Sequence, residues 1–172
     1  MTELRFAFAV LTDIQRVAAL IELAYRGPTA ATGWTNESEL LTGPRSSPAE
    51  VESLIRDPEA RFLLALEGDQ LVGCVLLKRY KAGAYFGMFA IDPSIQQKGL
   101  GKAVVAQAGV AARELWDAAF LRLTVISLRD ALIEWYERRG FARTGEREPF
   151  PFESATGALR TDFDLVVLQK PL

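Results

Sequence analysis

The sequence predicts a mixed α/β fold in the order βααβββαβαββ. Three observations carry this: short apolar runs bounded by Gly, Pro or Asp, a proline-free Ala-, Val- and Leu-rich stretch from Leu100 to Trp116, and strands that cluster instead of alternating strictly with helices. Leu4, Phe6 and Phe8 alternate with Arg5 and Ala7, which reads as a strand. Thr12 and Gln15 have capping-box spacing and open an amphipathic helix to about Tyr25. The segment from Gly27 to Pro48 is broken by Gly, Pro, Ser and Thr and reads as a long loop or broken helix, of the kind that often binds ligands. Ser47-Pro48-Ala49-Glu50 supplies N-cap, N1 proline and N3 glutamate for a second helix ending near Asp57-Pro58.

Strands are expected over Arg61 to Glu67 and Leu71 to Tyr80, joined by the hairpin signal Gly68-Asp69-Gln70, then over Tyr85 to Ile91 after Lys81-Ala82-Gly83. Asp92-Pro93 stops the third of these. The long helix from Leu100 to Trp116 leads to a buried strand from Leu121 to Ile126. A helix from Asp130 to Arg139 closes at Gly140, Phe141 to Glu146 forms a strand, and Phe163 to Leu168 forms the last one after the Pro149-to-Gly157 loop. No internal repeat or linker interrupts the 172 residues, so one domain spanning 1–172 is expected.

Composition narrows the chemistry. The chain is 49% hydrophobic, enough to bury a core without staples. Its 20 Lys+Arg against 22 Asp+Glu give a net charge of -2, which argues against a nucleic-acid coat. The lone Cys74, set among Val72, Val75 and Leu76, forms no internal disulfide and reads as a buried thiol, not an acyl carrier. With no histidine there is no Ser-His-Asp triad, Cys-His pair or imidazole metal site, so carboxylates, tyrosine, backbone amides and water must do any chemistry. No metal is expected. No run approaches the roughly 20 apolar residues of a membrane span, and no export signal opens the chain, so a cytoplasmic protein without membrane partners is expected.

The most informative stretch is Gln96-Gln97-Lys98-Gly99-Leu100-Gly101-Lys102, lying between a strand and a helix start. Unpaired N–H groups and the helix dipole favour an anion there, and two glycines allow close backbone approach. Lys98, Lys102 and Arg113 face no acid between Ser94 and Arg113, which suits a phosphate or pyrophosphate. A Walker A loop would need glycine where Gln96 stands and a hydroxyl at Ala103; a dinucleotide fingerprint would need a small residue at Val104.

Met88-Phe89-Ala90-Ile91-Asp92-Pro93, followed by Gln96-x-x-Gly99-x-Gly101, resembles the acetyl-CoA motif of the GNAT superfamily of N-acetyltransferases. The resemblance extends through the strand at 121–126 and the helix bearing Tyr136 to Gly140-Phe141. It implies a GNAT-like acyl-CoA N-acyltransferase fold with a bulged strand. It further implies that backbone groups of Phe89, Ala90 and Ile91 pair with the pantetheine arm and acetyl carbonyl, polarising the thioester. The stretch Gln96, Gln97, Lys98, Gly99, Leu100, Gly101 and Lys102 would hold the pyrophosphate. Tyr136 falls where many members place a tyrosine near the cofactor sulfur, as general acid. Where many members carry Asn seven residues earlier, this chain has Arg129, able to reach the cofactor or to pair with Asp130 or Glu134.

The implied reaction moves acetyl from acetyl-CoA to a primary amine of a small molecule or peptide in a ternary complex. Amines are mostly protonated at neutral pH, so a base is required, and Glu22, Glu37 and Glu148 are the candidates on acceptor-side loops. Tyr25, Trp34, Thr35, Phe150 and Phe152 are candidates for the acceptor walls. Residues 12–60 carry eight acids against four arginines, a bias toward a cationic acceptor. A non-catalytic acyl-CoA-binding module and a nucleotide- or other phosphate-binding protein are the alternatives; a homodimer is left open.

Overall fold

The computed structural model describes residues 3–27, 36–153 and 157–172, with backbone alone at 96–98. Its strands are β1 (Leu4–Phe8), β2 (Ala60–Glu67), β3 (Gln70–Tyr80), β4 (Gly83–Ile91), β5 (Phe120–Ile126), β6 (Ala142–Glu148) and β7 (Leu165–Pro171). Its helices are α1 (Ile14–Arg26), α2 (Pro48–Arg56), α3 (Leu100–Trp116) and α4 (Asp130–Glu137). All seven strands join one sheet in the order β1-β2-β3-β4-β5-β7-β6. Only β4 and β5 run parallel, joined through α3; the other neighbours are antiparallel. This is the mixed α/β architecture the sequence predicts.

Alternation along the strands divides the core in two. Leu63, Ala65, Phe86, Phe89 and Ile91 face α3 and α4, whereas Phe62, Leu64, Cys74, Met88 and Ala90 face α1 and α2. Each fully buried Phe or Leu side chain is worth about 1.5–3 kcal/mol of transfer free energy, so both helical layers are strongly held. The buried stripe of α3 includes Val104, Val105, Ala108, Gly109, Ala111 and Ala112. Those small residues let the helix lie close to the sheet: a Cβ on Gly109 would stand 3.0 Å from Leu172.

Local signals fare unevenly. At α2 the Ser47 hydroxyl accepts the Glu50 N–H at 3.1 Å, as its N-cap spacing predicts. At α1 the Thr12–Gln15 capping box gives way to a 3₁₀ turn over Leu11–Asp13. There the Asp13 carboxylate accepts from the Val10 N–H at 2.7 Å and from Arg16 Nε at 2.8 Å, so a charged acceptor displaces the hydroxyl cap. The described part of the early loop, 36–47, contains turns and a single bridge from Leu41 to Ala158. β6 starts one residue and β7 two residues later than expected, Phe141 and Phe163 lying buried just ahead of the ladder. No helix among the described residues is long and apolar enough to cross a membrane.

Two irregularities of β4 shape the molecule. Leu76 pairs with Gly87 and Cys74 with Ala90, so two residues oppose the single Val75. Met88 takes up this bulge at φ +46, a conformation costing a non-glycine residue about 1–3 kcal/mol. The second irregularity is that β4 pairs with β5 only at Ala84–Leu121 and Tyr85–Arg122. β5 then pairs along its whole length with β7, and beyond Tyr85 the two halves of the sheet part.

Cys74 is fully buried on the α1–α2 face, its Sγ donating to the Met88 carbonyl at 3.8 Å. Burial pushes its pKa from 9.0 up to about 12. The protonated thiol is therefore favoured by folding, a contribution fully present below pH 9 and lost as pH rises toward 12. Native protein at pH 8 should leave Cys74 untouched by an aromatic disulfide reagent, with one thiol per chain titrating only after unfolding. Rapid native reaction would show that β3 and β4 open readily at the bulge.

Candidate active site

Where β4 leaves β5, a cleft of about 510 Å³ opens between the sheet halves. Its floor is the bulge, Gly87 to Phe89, and its far wall is β5 from Leu123 to Ile126. Arg129, Leu132 and Tyr136 enter from the α4 side, and Tyr25, Arg26, Glu37, Arg45 and Glu50 from the α1–α2 side. Phe150 and Pro151 close one end.

The bulge decides which backbone groups meet the cleft. Ala90 pairs with Cys74, and the Asp92 N–H bonds the Val72 carbonyl at 2.9 Å, so these residues turn their polar groups toward β3. Alternation turns those of Phe89 and Ile91 the other way, toward the parting. Consistent with this, the Phe89 carbonyl accepts a 2.8 Å hydrogen bond from the Tyr25 hydroxyl across the cleft. Gly87 leaves room for the Tyr85 ring: a Cβ there would lie 2.4 Å from its Cε1.

Beyond Ile91 the chain turns through Asp92, which accepts from the N–H and hydroxyl of Ser94 at 3.0 and 2.8 Å. A 3₁₀ turn over Pro93–Lys98 then leads to Gly99, the N-cap of α3, at φ +72. This left-handed conformation is where glycine costs least, and among the described residues a Cβ on Gly99 would meet nothing within 4 Å. The first-turn N–H groups of α3, from Leu100, Gly101 and Lys102, lack intrahelical acceptors by construction. Leu100 and Gly101 are buried and Lys102 is exposed. Arg113 is in the last turn of α3, about 18 Å along the axis, so it does not reinforce the charge at this turn.

Tyr136 is 5% exposed, walled by Phe86, Phe89, Trp135 and Phe141 at centroid distances of 5.2 to 6.4 Å. Burial, with Tyr25 and Tyr85 nearby, raises its pKa well above the ordinary phenol value, and Arg129 only partly opposes this. It therefore lines the cleft as a neutral O–H donor. Tyr25 is likewise raised by burial, against the opposing field of Arg45. The Arg45 guanidinium lies 5.0 Å from the Tyr25 ring centroid. Burial works against its charge, but Tyr25, Glu37, Tyr85 and Glu50 more than offset this and raise its pKa.

The three glutamates named from sequence occupy different settings. Glu37 lines the cleft and pairs with Arg26 at 2.9 Å. Glu22 lies off the lining: its Oε1 accepts the backbone N–H of both Arg45 and Ser46, fastening the loop to α1. Glu148 is also off the lining, paired with Arg122 at 3.1 Å. Phe150 reaches the cleft, while Phe152 packs behind it on Phe150 and Phe163 at 4.9 and 5.1 Å. Trp34 and Thr35 lie outside the described residues. Arg26, Arg45, Glu50 and Tyr85 line the cleft without any motif announcing them. Glu50 reads in the sequence only as a helix-capping residue, and Tyr85 only as the start of a strand.

The family model describing the acetyltransferase (GNAT) family matches residues 29–141. A search of curated proteins finds no significant match. Among solved structures, a Bacillus subtilis acetyltransferase in complex with CoA superposes with a TM-score of 0.73 at 19% identity, covering 99% of both chains. A spermidine N-acetyltransferase from Vibrio cholerae, in complex with CoA and spermine, gives 0.70 at 19% identity over 98% of this chain and 95% of that one. A Bacillus anthracis protein named as a streptothricin acetyltransferase, bound to acetyl coenzyme A, gives 0.58 at 23% identity over 70% and 67%. The parted β4 and β5, the bulge and the glycine-opened α3 thus accompany a family match over most of the chain: it belongs to the GNAT acetyltransferase family.

Proposed function

We propose that this chain transfers acetyl from acetyl-CoA to a primary amine of a small molecule or peptide, directly, within a ternary complex. The observation that carries the reading is the parting of β4 from β5, which turns a strand edge toward a cleft continuous in sequence with an open glycine turn at a helix start. The open space at Gly99 suits a bulky anion close to the backbone.

Bound acetyl-CoA supplies an activated acetyl thioester. The chain's part is to place and polarise it. Backbone amides from Gln97 to Lys102 hold the pyrophosphate, and backbone groups of Phe89 and Ile91 align the arm and polarise the acetyl carbonyl, those of Ala90, which the resemblance also implied, being turned to β3 instead. Arg129, on the lining beside Tyr136, adds positive charge on the coenzyme side. Glu37, oriented by Arg26, takes the proton that the incoming ammonium must lose, directly or through water. The Tyr136 hydroxyl donates a hydrogen bond to the departing sulfur. Glu37 is preferred to Glu22 and Glu148 because, of these three, it alone is on the lining.

The test is free-thiol release from acetyl-CoA across a panel of amines, polyamines, aminoglycosides, amino acids and peptides, beside calorimetric titration of the coenzyme. At least one class should release thiol well above the no-acceptor rate. Tight coenzyme binding with no release for any class would reduce the protein to an acyl-CoA-binding module, and preference for ATP or NAD over CoA would overturn the assignment.

A further inference from the structure

The acceptor side of the cleft is not the acidic surface that residues 12–60 suggest. Several of those acids are engaged elsewhere: Asp13 with Arg16, Glu52 with Arg56, Asp57 with Lys78 and Glu59 with Arg79. Of the charged side chains on the lining among the described residues, three are guanidinium groups (Arg26, Arg45 and Arg129) and two are carboxylates (Glu37 and Glu50). Arg26 is matched by Glu37 at 2.9 Å. Arg45, by contrast, enters no ion pair among the described residues and rests on the Tyr25 ring. Its place is fixed from behind. Glu22 accepts the N–H of Arg45 and Ser46, and the Ser46 hydroxyl donates to Glu50 at 3.0 Å. A half-buried guanidinium held in a cleft wall, with its fork unmatched by a carboxylate, is built to receive one.

We infer that the acceptor is an amino acid or a close analogue, whose carboxylate is taken by Arg45 while its amine lies against Glu37. The inference rests on the acetyl-transfer reading and names the acceptor class within it. Tyr25 supports both functions: its ring carries the guanidinium and its hydroxyl fixes the Phe89 carbonyl, so the anion site and the bulge share one side chain. An acceptor bearing only positive charge would set an ammonium against Arg45 instead.

Thiol release from acetyl-CoA should be measured for amino acids against their decarboxylated counterparts, lysine with cadaverine and phenylalanine with phenethylamine, and for spermidine. The best amino acid should exceed its decarboxylated partner in kcat/KM by about 10- to 100-fold, the value of a charge-assisted hydrogen bond left unmade. Arg45→Gln should bring that ratio toward one, and Arg45→Lys should restore part of it, with thermal melting reporting that each variant is folded. Equal or better use of the decarboxylated amines or spermidine, or a ratio unmoved in Arg45→Gln, overturns the inference and leaves acetyl transfer standing. Thiol release only from aminoglycosides or peptides overturns the inference alone, whereas coenzyme binding without release from any class of the panel removes the proposed function, and this inference with it.

Discussion

Replacing Gly99 by glutamate is expected to weaken acetyl-CoA binding by about 100-fold or more while the protein stays folded. Gly99 is at φ +72, where a residue with a Cβ costs about 1–2 kcal/mol. In a chain of this size that lowers the melting temperature by only a few degrees. Nothing among the described residues within 4 Å obstructs the added Cβ, so the side chain extends into the space proposed for the diphosphate. A carboxylate some 5–6 Å from a phosphate charge opposes it by about 3 kcal/mol at an effective dielectric near 20, roughly a 100-fold loss. Gly99→Asn separates the two effects, because asparagine tolerates the left-handed region and adds no charge. It should bind within about tenfold of the parent in calorimetry. Equal loss in both variants would assign the effect to backbone strain; no loss in either would place the diphosphate elsewhere.

The same turn shows how far sequence carries. Gly99 and the bounds of α3 are legible because glycine, proline and the lack of proline act locally, on the residues that carry them. Seven strands and four helices are legible for the same reason. The partner of each cap is not: at α1 a neighbouring carboxylate outcompetes a hydroxyl, which spacing alone does not rank. The cleft is less legible still. Tyr25 and Phe89 are 64 residues apart, and no periodicity in either segment says that a hydroxyl on α1 meets a carbonyl on β4. Nor does the sequence say that β4 and β5 part after two paired residues, which depends on the bulge at Met88 and on β5 pairing with β7. Charge counting misleads for a related reason: it sums residues 12–60 without knowing which side chains turn inward, and Arg26 and Arg45 do so while Glu52 and Glu59 do not.

Tyr136→Phe should lower kcat roughly 100-fold, the loss typical when one hydrogen-bond donor to developing charge is removed, with acetyl-CoA affinity changed by less than about twofold. The substitution removes one oxygen and keeps the ring, so contacts with Phe86, Phe89, Trp135 and Phe141 persist and the melting temperature should barely move. Burial raises the Tyr136 pKa well above 10.0, so the donor form is the populated one at every pH where the fold is intact. The parent enzyme should therefore show no alkaline decline in kcat from this group below about pH 10. The same shift limits what the hydroxyl can do. A thiol titrates near 8.5 and this phenol far higher, so complete proton transfer from Tyr136 to the sulfur is uphill. Its contribution is a hydrogen bond that strengthens as charge develops there, the proton staying on the Tyr136 oxygen; the sulfur leaves as thiolate, and any proton it then gains is the one the amine gave up to Glu37 or water. Such a bond acts in the transition state and not in the ground state, which is why the loss should fall on kcat and not on coenzyme binding. A variant with normal kcat and normal coenzyme affinity would show that Tyr136 only packs, and one with normal kcat but weakened affinity would make it a binding residue.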